Sequence, residues 1–214
     1  MLLLASLLWL PLSAAAQHSS APLSSVELAQ KVDDHYNKLQ SLKTRFREDY
    51  DGLGQHRGES GTLLLRKPGK MRWEYDTPKG KIFLLDGKFA WFYAPGDSQV
   101  QRISAGKLND LRTPLRMLLG HTKLEDDLVN LSLTQGNGSL VLSGVPRGQQ
   151  KRIHNISFTV TPTGTITAIL IEETDGAKTH FVLTNEEPNI AIPESQFQFT
   201  PPKGIPVVDL LPPV

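Results

Sequence analysis

The hydrophobic period of the chain changes along its length, and each change marks an element. Leu28, Val32, Tyr36 and Leu39 recur at spacings of three and four, with Lys31, Asp34 and Lys38 between them. This pattern predicts an amphipathic helix over about Ser25 to Leu39 with one apolar face. Ser24, with Glu27 three residues on, makes a capping box, and Leu23 and Leu28 stand where a hydrophobic staple stands. From Leu42 the period becomes two: Leu42, Thr44, Phe46 and Tyr50 alternate with Lys43, Arg45, Arg47 and Asp49. The same alternation returns at Met71, Trp73, Tyr75 and at Ile156, Phe158, Val160. These are strands with one apolar and one wet face.

The turn chemistry orders the strands. Asp86-Gly87, Asn137-Gly138 and Asp175-Gly176 each sit between two strand-like runs, and Pro162-Thr163-Gly164 marks a further turn. Such dipeptides suit the left-handed positions of tight hairpins, so the chain is expected to be mainly β (α+β), one curved antiparallel sheet of about ten or eleven strands. The meander breaks between Gln101 and Asp127. There Thr113 is placed as an N-cap, Pro114 as the first helical residue and Gly120 just past the end. A short helix with Leu111, Leu115, Leu118 and Leu119 on one face is expected, a candidate lid or plug.

Composition narrows the function. The 214 residues carry a formal charge of +1, with basic and acidic groups interspersed, which disfavours a nucleic-acid partner. The opening run from Leu2 to Leu12, followed by Ser13-Ala14-Ala15-Ala16, reads as a signal peptide over residues 1–16. Residues 17–214 then form a single exported domain. No cysteine is present, which removes disulfides, thiolate metal sites, thiol catalysis and a lipid-modified cysteine. With no second apolar run of spanning length, a periplasm-like space is expected.

Catalytic signatures are absent from the sequence: no G-x-S-x-G elbow, H-E-x-x-H, P-loop or G-x-G-x-x-G after a strand. The six histidines lack metal-ligand spacing, and adjacent acids such as Glu172-Glu173 point to opposite faces of a strand. No catalytic residue, metal or cofactor is assigned. What stands out is a set of large apolar side chains on many strands: Phe46, Leu63, Leu65, Met71, Trp73, Phe83, Leu85, Trp91, Tyr93, Phe158, Val160 and Phe181. Periodicity alone leaves two readings open, a packed barrel or sandwich core and a ligand cavity.

Specific strings go further. Gly61-Thr-Leu-Leu-Leu-Arg-Lys-Pro-Gly-Lys-Met-Arg-Trp73-Glu-Tyr75 is followed by Pro78, Asp86-Gly87-Lys88, Trp91-Phe92-Tyr93-Ala94-Pro95, Thr113-Pro114 to Gly120, and Phe197-Gln-Phe-Thr-Pro-Pro-Lys-Gly204. In this order, over nearly the whole mature chain, they resemble the periplasmic outer-membrane lipoprotein carrier family of the LolA type. The resemblance implies a half-open, incomplete barrel with an N-terminal helix and a lid helix over an apolar cavity. It implies a monomeric carrier that takes acylated lipoproteins from an inner-membrane ATP-driven release complex and passes them to an outer-membrane acceptor. The twelve strand residues above, with Leu115 and Leu118 of the lid, would line the acyl cavity. The family's basic residue before the strand proline, usually Arg, is linked to lid closure and transfer. Here that position is Lys67, with Arg66 before it, and both are candidate lid latches toward Leu115 to Leu119; the plain alternative is a solvated strand-end lysine. Met71 stands where the family often has Phe, and Trp73 matches directly. Two other readings remain: a related half-barrel that binds free lipids or senses envelope lipids, and a secreted hydrolase.

Overall fold

The computed structural model describes residues 23–105, 123–136 and 138–209. The leader expected over 1–16 and the lid helix expected at 113–120, with Leu115 and Leu118, lie outside the described residues.

Helix α1 runs from Ser25 to Lys38 and ends on Leu39, one residue short of the expected span. It starts where it does because its exposed N–H groups find partners. Ser24 Oγ accepts from the Glu27 N–H at 3.2 Å, and Glu27 Oε2 accepts from the Ser24 N–H at 2.8 Å. The Ser24 N–H and the Ser24 hydroxyl, each donating to Glu27 Oε2 at 2.8 Å, hold the Glu27 carboxyl below the usual glutamate range. Leu28, Ala29, Val32 and Tyr36 are buried, and they form the face that docks.

Beneath α1 lies one sheet of twelve strands: β1 (Ser41–Gly52), β2 (Gln55–Arg66), β3 (Lys70–Thr77), β4 (Lys79–Asp86), β5 (Phe89–Tyr93), β6 (Val100–Ser104), β7 (Leu128–Gly136), β8 (Ser139–Pro146), β9 (Ile153–Val160), β10 (Ile166–Glu173), β11 (Lys178–Pro188) and β12 (Val207–Asp209). A short helix, α2 (Leu124–Asp127), leads into β7. The order is β12-β6-β5-β4-β3-β2-β1-β11-β10-β9-β8-β7. Two meanders, β1 to β6 and β7 to β11, are therefore sewn together where β1 pairs with β11, and the sheet ends on β12 and β7 without closing. Register shifts in β1, β2, β3, β7 and β10 supply bends. The expectation of ten or eleven strands falls short because β12 is only three residues long, follows a proline-rich stretch and pairs parallel with β6.

The two faces are distinct. The inner face, which α1 covers, holds one continuous cluster from Leu85 and Phe83 through Trp73, Leu63 and Phe46 to Phe181, Ile169, Phe158 and Leu142. The outer face holds a second, smaller cluster in which Ile82, Leu84, Trp91 and Tyr93 meet Ile190, Ile192, Phe197 and Phe199 of the C-terminal segment. A 3-10 turn over Glu194–Phe197 packs that segment on β3 and β4.

Candidate binding face

Residue alternation carries the inner face from strand to strand. Leu63 of β2 is opposite Trp73 of β3, which is opposite Phe83 of β4; one step along, Leu65, Met71 and Leu85 form a parallel row. On the other meander Leu142, Phe158, Ile169 and Phe181 line up across β8, β9, β10 and β11. Aromatic rings join the rows edge to face: Phe46 to Trp73 at 4.6 Å, Trp73 to Phe181 at 5.6 Å, Phe46 to Tyr75 at 5.0 Å. The Trp73 indole N–H donates to Met71 Sδ at 3.0 Å, a soft and weak acceptor, so the row holds no strong polar bond at its centre. Gly61 makes this packing possible, because a Cβ there would lie 2.1 Å from the Glu74 carbonyl oxygen and 2.8 Å from the Phe46 ring.

Ten of the expected cavity residues are brought together here: Phe46, Leu63, Leu65, Met71, Trp73, Phe83, Leu85, Phe158, Val160 and Phe181 all lie in the inner cluster. Trp91 and Tyr93 do not. They lie on the outer face, packed on Phe199 at 5.8 and 6.2 Å between ring centres. The correction follows from register: Leu85 is opposite Ala90, and Phe83 is opposite Phe92, so Ala90 and Phe92 face inward and the larger Trp91 and Tyr93 face outward. Phe92 sits 4.8 Å from Phe83. Residues outside the expected cavity set, among them Tyr75, Phe92, Ile103, Leu142, Ile156, Ile169 and Leu183, also belong to or pack against the inner cluster.

Among the described residues, the expected latch residues hold two different segments. Lys67 Nζ donates to the carbonyls of Tyr36 at 2.6 Å and Asn37 at 3.1 Å, the last turn of α1, where a cation also meets the negative end of the helix dipole. Burial lowers the Lys67 pKa. Arg66 turns to the outer face, donating to the Ile192 carbonyl at 2.9 Å and pairing with Glu194, which Lys70 also holds. Thus, among the described residues, Lys67 clasps the N-terminal helix and Arg66 clasps the C-terminal segment; the expected lid at Leu115 to Leu119 lies outside the described residues.

α1 is fixed at further points. The Ile166 N–H donates to the Tyr36 hydroxyl at 3.1 Å, and that hydroxyl reaches Glu186 Oε2 at 3.4 Å. Burial first, and then the Glu186 charge, pushes the Tyr36 phenol far above its usual range, so it stays neutral. His35 Nε2 meets Glu186 Oε1 at 2.7 Å. The buried Asp33 carboxylate accepts from the Leu124 N–H at 3.1 and 3.3 Å and so holds α2 against α1.

Among the described residues no group of His, Asp or Glu is placed to hold a metal, and no helix is long and apolar enough to cross a membrane.

An open single-sheet half-barrel with a continuous apolar inner face, clasped by one amphipathic helix, is the class this geometry defines. Residues 37–200 match the family model described as outer membrane lipoprotein carrier protein LolA. The chain is 28% identical over 204 residues to the outer-membrane lipoprotein carrier protein of Pectobacterium carotovorum, covering 94% of this chain and 97% of that one. It is 29% identical over 155 residues to the protein of that description from Nitrosomonas europaea, covering 71% and 73%. Among solved structures, a conserved protein of Thermus thermophilus overlays with a TM-score of 0.54 at 11% identity, covering 86% of this chain and 98% of that one. The lipoprotein LppX of Mycobacterium tuberculosis overlays with a TM-score of 0.50 at 14% identity, covering 79% and 97%. The chain belongs to the LolA family of outer membrane lipoprotein carrier proteins.

Proposed function

We propose that this protein is a non-catalytic periplasmic carrier that holds the acyl chains of lipoproteins against its inner face and shuttles them from the inner to the outer membrane. The observation that carries the reading is the unbroken inner apolar surface of Phe46, Leu63, Leu65, Met71, Trp73, Phe83, Leu85, Phe158, Val160 and Phe181 in a chain of this family. Burial of a methylene contributes about 0.8 kcal/mol, so a chain of about sixteen carbons withdrawn from water represents on the order of 12 kcal/mol. Spontaneous release into water is then far too slow. Cargo passes directly from one apolar site to the next, received from an ATP-driven inner-membrane release complex and surrendered to an outer-membrane acceptor. Direction is set by the difference between sites, not by the total.

The inner residues are covered, with Trp73 and Phe158 each only 1% exposed. Cargo therefore competes with the protein's own apolar contacts, which lowers the net affinity and lets the carrier give its load away. The test uses the purified full chain loaded with an apolar fluorescent probe. A synthetic acylated peptide displaces the probe and its unacylated form does not; equal displacement by both rejects acyl recognition.

A further inference from the structure

The inner face changes character along its strands. On the half nearer Lys67 it is apolar, but toward the β1–β2 hairpin the inward positions become Glu48 and Tyr50 on β1, Glu59 on β2, Tyr75 on β3 and Lys81 on β4. The alternation that places Phe46, Leu63, Trp73 and Phe83 inward places these residues inward as well. They touch one another. Lys81 Nζ pairs with Glu59 and lies 4.4 Å from the centre of the Tyr75 ring, and the Tyr75 hydroxyl donates to Glu48 Oε2 at 3.4 Å. The Glu59 side chain is 11% exposed and the Lys81 side chain 29%.

This band is costly. Glu48 and Glu59 are direct cross-strand partners, and like charges so placed destabilise a sheet. An ion pair at that depth is no better for stability than apolar side chains of the same volume. Such a band has a use if a ligand is amphipathic and must be held one way round. Its chemistry is mixed, with ammonium and phenol donors beside two carboxylate acceptors and no net charge among Glu48, Glu59, Lys81 and the nearby Arg57, which stacks on Tyr50. That balance suits an uncharged head rich in both hydrogen-bond acceptors and donors, and gives no field to gather an anion.

We infer that Glu48, Glu59, Tyr75 and Lys81 form a polar subsite that orients cargo, receiving the ester and amide groups that join the acyl chains to the first residue of the polypeptide. The subsite rests on the carrier reading and deepens it. Lys81 and Tyr75 donate to ester carbonyls, Glu48 and Glu59 accept from the first amides, and the chains lie toward Trp73 and Leu63. The polypeptide then leaves at the end of the barrel that carries the β1–β2 and β3–β4 turns.

The experiment compares two probes on the full chain: a synthetic diacylglyceryl-cysteinyl peptide, and phenylnaphthylamine, which has no such head. Lys81→Met is measured beside the double substitution Lys81→Met with Glu59→Gln, which leaves no buried carboxylate unpaired. Loss of charge-assisted hydrogen bonds is expected to weaken the peptide roughly tenfold in both variants, with less than about a twofold change for phenylnaphthylamine. Unchanged peptide affinity overturns the subsite while leaving the carrier reading intact. A parallel loss for both probes makes the pair a structural prop and also overturns it. Failure of the unaltered chain to bind either probe removes the carrier reading itself.

Discussion

Gly164 and Gly176 offer a matched test of how α1 is seated. Both lie in tight hairpin turns, at φ +95° and +91°, and the N–H of each closes a turn, to Thr161 O at 3.0 Å and to Glu173 O at 3.1 Å. They differ in what surrounds them. A Cβ at Gly176 meets nothing within 4 Å, whereas a Cβ at Gly164 falls 2.2 Å from the Lys31 carbonyl oxygen and 3.0 Å from the Val32 nitrogen, on the backbone of α1. Gly176→Ala therefore reports the left-handed backbone alone, about 1–2 kcal/mol. Gly164→Ala adds the displacement of a helix from the sheet, an overpacking cost of about 1–3 kcal/mol. The hairpin and α1 are further tied where Lys31 Nζ donates to the Pro162 carbonyl at 3.2 Å, so the helix cannot shift without losing that bond. Urea unfolding of the two variants should differ by roughly the overpacking term, with unchanged slopes. Equal losses, or a neutral Gly164→Ala, would refute the close seating of α1 on the β9–β10 turn.

Three further outcomes follow from the same contacts. Lys67→Leu leaves the Tyr36 and Asn37 carbonyls without their cation and should lower stability by about 1–2 kcal/mol, with Lys67→Arg restoring most of it; equal losses in both would mean that the ammonium does not hold the helix. Asp86 accepts from the N–H groups of Lys88 and Phe89 and from the Trp91 indole, each at 2.7 Å; burial pushes its carboxyl up, but these donors outweigh burial and hold it below the ordinary 3.8. Because the folded value is depressed, its contribution is fully present above pH 3.8 and is lost as pH falls below 3.8 and through the lower folded value, so Asp86→Asn should flatten the acid limb of the stability profile; parallel profiles would contradict this. Gly61→Val should cost several kcal/mol in thermal unfolding because the Glu74 carbonyl is backbone and cannot move aside, and a change below about 1 kcal/mol would contradict it.

Much of the scaffold was legible because local signals agreed. The Ser24 and Glu27 cap, the period of three and four after it, and the period of two at Met71 to Tyr75 each specify one answer, and the structure uses each of them. The outer-face assignment was hidden for a physical reason: Phe89 to Tyr93 is apolar at every position, so alternation is invisible and size alone pointed Trp91 and Tyr93 inward. What covers them, Ile192, Phe197 and Phe199, arrives from a segment about a hundred residues later, a contact no local pattern encodes. The family motif pointed to Lys67 and Arg66 as lid latches, and no sequence pattern shows which segments they hold among the described residues. Register decides that, placing Lys67 against α1 and Arg66 against Ile192 and Glu194. The polar band of Glu59 and Lys81 was likewise unreadable, since two charged residues on separate strands become neighbours only when the sheet folds.

The most direct measurement of whether acyl chains occupy the inner face is quenching by a bromine-labelled acyl peptide. The chain has three tryptophans, Trp9, Trp73 and Trp91, and the two described ones lie on opposite faces. With Trp9 replaced by Phe, single-tryptophan chains retaining only Trp73 or only Trp91 separate the faces. Strong quenching of Trp73 with little effect on Trp91 is the result the account predicts; quenching of Trp91, or an unaffected Trp73 with peptide bound, would contradict it.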